Sequence, residues 1–475
     1  MTWAAFGWDR RAALAALVVG LGLRLPRAAL RWDEIALAYA AYAGPHAEAV
    51  GAGRPLDALG VWVGLHPPLW AALHAVAEQV LPVPAVWLAV QAMLSAAAAA
   101  VVGGRFGLGP GLLLATAPVA VEYAGEVNNY PLAALAVAAV LAWPVGRAGG
   151  LAGVIAGWSH VLGGAAALGA WLEGAVRERS RPLLWHGLIG LVGGLPVLAG
   201  VWARSGDAGT FAQPGGGVAA WVAHAEETFG LGFWALPAVG LAGLGAPGTG
   251  PAVLVGVALA GALGAGAAAP HQLPYASLLA VPLAALAAGA GARGGRAARL
   301  VIAAVVLVQA TTSGLRAAEA ARELSLGRAV RRGADEARDR SAPGDIVWLV
   351  APALRPDDDK QAVSPSLWAF SPLAWMPRAP IFPHDPLDHR FGHPRRWRGR
   401  VLHTSVELED AVVDAVLAAR PSGARAFVVL SEHAPAGGLE QRVARALRPW
   451  AGAPERWPAP GGLGDDLLWV VGPAP

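Results

Sequence analysis

Apolar positions over the first two thirds of the chain come in unbroken runs, not in the one-sided stripes of a surface helix. The runs are Ala12–Leu30, Ala85–Val102, Leu108–Val121, Leu132–Val145, Leu151–Ala175, Leu183–Trp202, Phe229–Leu244, Ala252–Ala269, Leu273–Ala290 and Leu300–Thr312. A bilayer crossing takes about 20 apolar residues in a helix, so residues 1–315 are expected to form a polytopic membrane domain of about 10–12 helices. The first run follows Asp9-Arg10-Arg11 and reads as an uncleaved anchor, the alternative being a signal peptide. Beyond residue 315 the period changes. Strand-like runs at Asp345–Val350, Ala426–Leu430 and Leu467–Val471 alternate with helical patterns at Val406–Ala419 and Leu439–Leu447, which predicts a small soluble α/β domain over residues 316–475. Arg316–Arg340 reads as a charged helix or linker and Pro352–Pro394 as a long irregular insert. The fold class expected is mainly α, a polytopic helical membrane domain followed by this small α/β domain.

Composition sharpens the division. The chain of 475 residues is 55% hydrophobic and only 15% charged, with a net charge of +3. Residues 1–315 hold 15 Lys/Arg and 13 Asp/Glu, whereas the shorter remainder holds 21 and 20. An ordinary soluble protein is about 25% charged, a density that only the second part reaches. A single-domain cytosolic enzyme and a disordered chain are excluded. There is no cysteine, so any metal must be held by His, Asp or Glu. Lys360 is the sole lysine, and the arginines form no basic groove, which argues against a nucleic-acid partner.

Arginines also orient the runs, because cytoplasmic loops are enriched in them. With Arg10 and Arg11 inside, Arg105, Arg147, the Arg177–Arg181 cluster and the Arg293/Arg296/Arg299 cluster fall inside as well, on two conditions. The His66–Gln79 segment must lie along the outer surface, and the Leu151–Ala175 run must break into two short helices near Trp158-Ser159-His160. Asp33, Glu122–Tyr130, Ser205–Glu227, Pro270–Tyr275 and the tail then share the outer side. The expected location is the cell (inner) membrane, multi-pass, with the tail outside the cytoplasm.

The few polar residues among these runs are the candidate chemistry. Asp33 and Glu34 follow the first run directly; a carboxylate there can deprotonate an acceptor hydroxyl or hold a divalent cation, or the pair can simply cap the next helix. His66 precedes Pro67-Pro68-Leu69-Trp70 and can contact a sugar or phosphate, or can sit at the interface beside Trp70. Glu122-Tyr123-Ala124-Gly125-Glu126-Val127-Asn128-Asn129-Tyr130-Pro131 is dense in donors and acceptors suited to sugar hydroxyls, the alternative being a solvated loop. His160 lies inside an apolar run, where an ionisable group is costly; it is either functional or a neutral imidazole bonded to backbone. His271 and Tyr275 sit at an outer boundary. His384, Asp385, Asp388, His389 and His393 have metal-like spacing but lie in a Pro/Arg-rich stretch that reads as a solvated loop.

In order, Trp32-Asp33-Glu34, His66-Pro67-Pro68-Leu69, Glu126-Val127-Asn128-Asn129-Tyr130 and His160 resemble the motifs of the GT-C superfamily of polytopic glycosyltransferases. The likeness is in particular to the bacterial protein-O-mannosyltransferase-like and aminoarabinose-transferase-like group, and it covers about residues 1–315. It implies an integral-membrane glycosyltransferase that moves a hexosyl or pentosyl unit from a polyprenyl-phosphate-linked donor to a lipid, glycan or protein acceptor on the outer side. Asp33 is then the expected general base (or the ligand of a divalent cation, if one is used), with Glu34 orienting it or the acceptor. His66, Glu126, Asn128, Asn129, Tyr130, His160, His271 and Tyr275 are the expected substrate-binding residues. Two departures stand out. Asn128-Asn129 replaces a segment that often carries Arg before the Tyr, leaving Arg54 or Arg204 to meet a phosphate, and His271 with Tyr275 replaces a late Arg-Tyr pair. A transporter and a non-catalytic membrane scaffold or sensor are the rival readings. A transporter calls for charges along several mid-span helices, whereas here the polar residues collect at one face.

Overall fold

The computed structural model describes residues 7–26, 46, 49–50, 53–62, 67–80, 84–125, 129–144, 147–178, 181–203, 217–246, 249–266, 275–329, 332–350, 395–397, 400–405, 410–431, 438–457 and 466–474. The chain divides into two compact units. One comprises Met1–Ala29, Pro55–His74 and Ala85–Glu319; the other comprises Leu30–Arg54, Ala75–Pro84 and Ala320–Pro475.

The first unit is helical. Its helices are α1 (residues 10–26), the first turns of α2 (Leu69–Val80), α3 (Pro84–Phe106), α4 (Leu108–Thr116), α5 (Pro118–Glu122), α6 (Tyr130–Ala142), α7 (Arg147–Ser159), α8 (Val161–Glu178), α9 (Arg181–Ala203), α10 (Gly217–Phe229), α11 (Leu231–Ala242), α12 (Gly250–Gly266) and most of α13 (Ala276–Ala329). Residues 89–106 and 276–318 are long and apolar enough to cross a membrane by length and composition, and shorter apolar helices accompany them. Large apolar side chains such as Leu14, Val18, Met93, Val257 and Leu307 are exposed on this unit. Its core is made largely of alanine, valine and leucine from α3 to α8 and α11 to α13. Small residues let the backbones approach closely, as where a Cβ on Gly103 would meet the Ala12 carbonyl oxygen at 2.8 Å.

Two of the apolar runs are interrupted. Leu108–Val121 breaks at Ala117 because Pro118 has no N–H for the Leu114 carbonyl. Its orphaned acceptors are met from elsewhere. Arg24 on α1 donates to Leu114 O at 3.2 Å and to Ala115 O at 2.6 Å, and Ser313 Oγ on α13 donates to Thr116 O at 3.1 Å. The Arg24 Nε donates to Ser95 Oγ, which in turn donates to Ala120 O. Leu151–Ala175 parts at His160 into α7 and α8, the break that the arginine pattern required. The two late runs are two helices meeting at a kink, together designated α13; the kink is at Gly295, whose φ of 57° suits only glycine at low cost.

The second unit holds α14 (Arg332–Arg340), α15 (Asp410–Ala418), α16 (Leu439–Leu447) and six strands: β1 (Ile346–Val350), β2 (Arg395–Trp397), β3 (Arg400–Ser405), β4 (Ala426–Ser431), β5 (Glu455–Trp457) and β6 (Asp466–Val471). They form one sheet in the order β2-β3-β1-β4-β6-β5. The centre is parallel (Ile346 opposite Val401 and Ala426) and the edges antiparallel (Val428 opposite Trp469). Ile346, Trp348 and Val350 share one face with Val428, Leu430 and Trp469, packed against Val413 and Leu417 of α15 and Val443 and Leu447 of α16. Strands β2, β3 and β5 are absent from the sequence-based expectation. Two of them are only three residues long, and β3 carries His403 and Thr404 within it. The start of β1 is fixed by Asp345, whose carboxylate accepts from the Ala342 and Arg425 backbone N–H groups and from the Arg425 guanidinium at 3.0 Å.

Two outcomes follow from these contacts. Replacing Arg24 by Met leaves the Leu114 and Ala115 carbonyls unpaired in apolar surroundings. A loss of about 3 kcal/mol is expected, read as a melting temperature lower by several degrees for the full chain. On β3, burial against Trp348 holds the His403 imidazole down at about pKa 4 from its ordinary 6.5. Between those values the unfolded chain binds the extra proton, so the stabilisation is full above pH 6.5 and is lost as pH falls toward 4. The loss amounts to about 3 kcal/mol. The protection factors of β1 and β3 amides in the full chain, corrected for the intrinsic pH dependence of exchange, should fall from pH 7 to 4.5, and H403F should remove that fall.

Candidate functional site

The site is assembled where three helix ends of the first unit meet: the start of α6, the break between α7 and α8, and the start of α13. Pro131, suited to the first turn of a helix, starts α6 and sets Tyr130 at its end. Asn129, just before it, is buried, and its Nδ2 donates to the Ser159 carbonyl at 2.6 Å. One bond therefore ties the beginning of α6 to the last residue of α7. His160 follows at the break and is also buried. Tyr275 opens the segment leading into α13.

Three rings converge. The His160 and Tyr275 centroids are 5.0 Å apart, Tyr130 and His160 are 5.3 Å apart, and Tyr130 and Tyr275 are 5.8 Å apart. Tyr123 stands edge-on to Tyr130 at 6.5 Å. These tilted and edge-on geometries are the favourable ones for aromatic quadrupoles, so the cluster supports itself. His160 Nδ1 accepts the Leu162 backbone N–H at 3.1 Å. An imidazole accepting there is neutral with its proton on Nε2, which leaves that nitrogen as the donor. The two expected readings of His160, a functional group and a neutral backbone-bonded imidazole, are thus compatible.

Of the residues expected from sequence, Asn129, Tyr130, His160 and Tyr275 are brought together. Asp33, Glu34, His66, Glu126, Asn128 and His271 lie outside the described residues, as do Arg204 and the His384–His393 segment. Arg54 is exposed in the other unit. Among the described residues no three His, Asp or Glu side chains are grouped to hold a metal ion.

Three members of the site were absent from the expected binding set. Tyr123 is seven residues before Tyr130 in the same polar segment, and that spacing was its available signal. Glu122, buried at the end of α5, pairs with Arg316 on α13 at 3.6 Å. Arg316 sits at the point where the apolar pattern gives way to a charged one, so it reads as linker in sequence. Ser159, one residue from His160, is fully buried, and its hydroxyl has no hydrogen-bond partner among the described residues. Chemically the cluster offers flat ring faces, an imidazole and a buried hydroxyl, and Glu122, paired with Arg316, is the residue before Tyr123. That combination suits a polyhydroxylated ligand with an anionic end.

The sequence matches no family model and no curated protein. The structure does match solved ones. It is similar to ArnT from Cupriavidus metallidurans bound to undecaprenyl phosphate, with a TM-score of 0.54 and 14% identity over 98% of this chain and 99% of that one. It is also similar to ArnT from the same organism in the apo state, with a TM-score of 0.50 and 14% identity over 92% and 94% of the two chains. End to end, this chain therefore has the fold of ArnT, a helical domain followed by a small α/β domain.

Proposed function

We propose that the protein is an integral-membrane glycosyltransferase that takes a sugar from a polyprenyl-phosphate carrier and passes it to an acceptor hydroxyl on the outer side of the membrane. The observation that carries this reading is the gathering of Asn129, Tyr130, His160 and Tyr275 from helix ends far apart in sequence into one cluster. Undecaprenyl phosphate bound to the similar ArnT structure supports the carrier class. The apolar runs of the first unit suit a substrate whose hydrocarbon tail enters from the bilayer.

In this mechanism the acceptor hydroxyl oxygen attacks the anomeric carbon as the bond from that carbon to the phosphate oxygen breaks. The electron pair leaves with the carrier phosphate, and the hydroxyl proton passes to Asp33, oriented by Glu34. The ring faces of Tyr130 and Tyr275 and the His160 Nε2–H hold the sugar. His66, Glu126, Asn128 and His271 complete the proposed sugar-phosphate pocket. Negative charge grows on the departing phosphate and calls for a cation; Arg316 is the described arginine paired beside the Tyr123 segment. If a divalent cation takes part, Asp33 is its proposed ligand. The proposed role of the α/β unit is to select the acceptor.

Loss of a general base costs about a hundredfold or more. Asp33→Asn should therefore abolish release of undecaprenyl phosphate from undecaprenyl-phosphate-linked sugars in proteoliposomes while membrane insertion stays intact; near-normal turnover removes Asp33 from the mechanism. Asn129→Ala should cut the same release about tenfold by freeing α6 from α7, with Trp158–His160 amides exchanging faster. Unchanged turnover with faster exchange would make the Asn129 bond structural only.

A further inference from the structure

In the first unit, Trp8 and Trp143 stack on each other, with ring centroids 5.6 Å apart and planes 19° from parallel. Both nevertheless stay exposed, by 45% and 39%. Indoles left partly open at helix ends suit a membrane–water boundary, where the ring meets hydrocarbon and its polar edge meets water. Several helix ends hold the pair. Trp8 precedes α1 and lies on the last turn of α3, where a Cβ on Gly104 would meet its ring at 2.7 Å and the Gly104 carbonyl accepts the Asp9 N–H at 2.8 Å. Trp143 closes α6, and the first turn of α7 passes its carbonyl so closely that Gly149 has no room for a Cβ.

The same helix ends carry charge of one sign. Arg10 and Arg11 open α1, Arg105 lies in the last turn of α3, and Arg147 opens α7. Arg10, Arg11 and Arg147 are exposed, and among the described residues none of the three pairs with a carboxylate. The one carboxylate at these ends among the described residues is Asp9. Its Oδ1 accepts the Arg11 and Ala12 backbone N–H groups at 2.9 and 3.1 Å and so caps α1. The patch is separate from the candidate site. Tyr130 begins α6 and Trp143 follows its end, whereas Arg147 begins α7 and Ser159 ends it. Two helices of thirteen residues therefore separate the two places by about 20 Å.

We infer that the Trp8–Trp143 stack with Arg10, Arg11 and Arg147 forms a docking surface for an anionic glycerophospholipid of the phosphatidylglycerol class. Its phosphodiester accepts from the guanidinium groups, and the indoles lie beside its glycerol backbone. Exposed cations without a protein anion call for an anion from outside, and the interfacial indoles place that anion at headgroup depth. A zwitterionic headgroup fits less well, because its ammonium is repelled by the same arginines. The inference rests on the membrane residence in the proposed function and not on the transfer reaction. Its readout contains no donor sugar and its residues lie at the far ends of α6 and α7, so its failure and that of the transferase reading are distinguishable.

The test is native mass spectrometry of the delipidated full chain with equimolar dioleoyl phosphatidylglycerol and dioleoyl phosphatidylethanolamine, which share their acyl chains. Phosphatidylglycerol should be retained about fivefold more tightly, the effect of one arginine at an anionic lipid surface. That preference should shrink as ammonium acetate rises from about 0.1 M to about 1 M, because exposed charges are screened. The triple variant R10Q/R11Q/R147Q should bring the two lipids to equal retention. Equal retention by the unaltered protein overturns the inference, and that comparison needs no variant to fold. A preference that survives the triple variant overturns it too, since the anion is then held elsewhere. Displacement of phosphatidylglycerol by equimolar inorganic phosphate overturns it in favour of a free anion.

Discussion

The first unit is organised around a guanidinium buried among neutral acceptors. Pro118 ends α4, and the carbonyls of Leu114 and Ala115 are left without helical partners in apolar surroundings. Arg24 supplies them, and among the described residues it pairs with no carboxylate. Water is unavailable to orphaned backbone groups in such an environment, so the break in the helix is tolerable only where a side chain replaces it. The same break lets the chain turn through α5 into the Tyr123 segment, and Ser95 and Ser313 secure its two flanks. The candidate site thus depends on a contact made by the first helix.

A second constraint is the double use of helix ends. Asn129 and His160 stand just outside helices, where backbone groups are unpaired and side chains are positioned by the rigid elements behind them. The Asn129–Ser159 bond joins two such ends, and the aromatic contact of His160 with Tyr275 joins a third. Fixing several groups on separate helix ends gives a site whose geometry is set by helix packing, as the proposed in-line displacement requires. The second unit obeys different physics. Its sheet alternates faces with a period of two, and its polar contacts, such as Asp345 with Arg425, fasten strand ends.

Much of this was legible. The arginine asymmetry predicted that the Leu151–Ala175 run is two helices, because a single crossing would put the Arg177–Arg181 cluster on the wrong side; the structure parts them at His160. Polar residues in apolar runs pointed to Asn129, Tyr130 and His160 because solvation makes them expensive without a purpose. Arg24 stands in plain view within the first apolar run, but its purpose does not. Its partners are backbone carbonyls, which every residue carries, so no side-chain pattern marks them. Glu122 with Arg316, and Gln309 with Thr116, are likewise pairs between distant segments.

The sequence by itself determined the division into an apolar helical part and a charged α/β part, and the break near His160. Periodicity, solvation and backbone sterics act over a few residues and are written in order along the chain. Tertiary structure alone decided which breaks meet. It brought Tyr275 to His160 and set Arg24 on the α4 carbonyls. Those outcomes follow from close packing of helices whose apolar faces are nearly interchangeable in composition, so that shape and the few polar bonds between them select the arrangement.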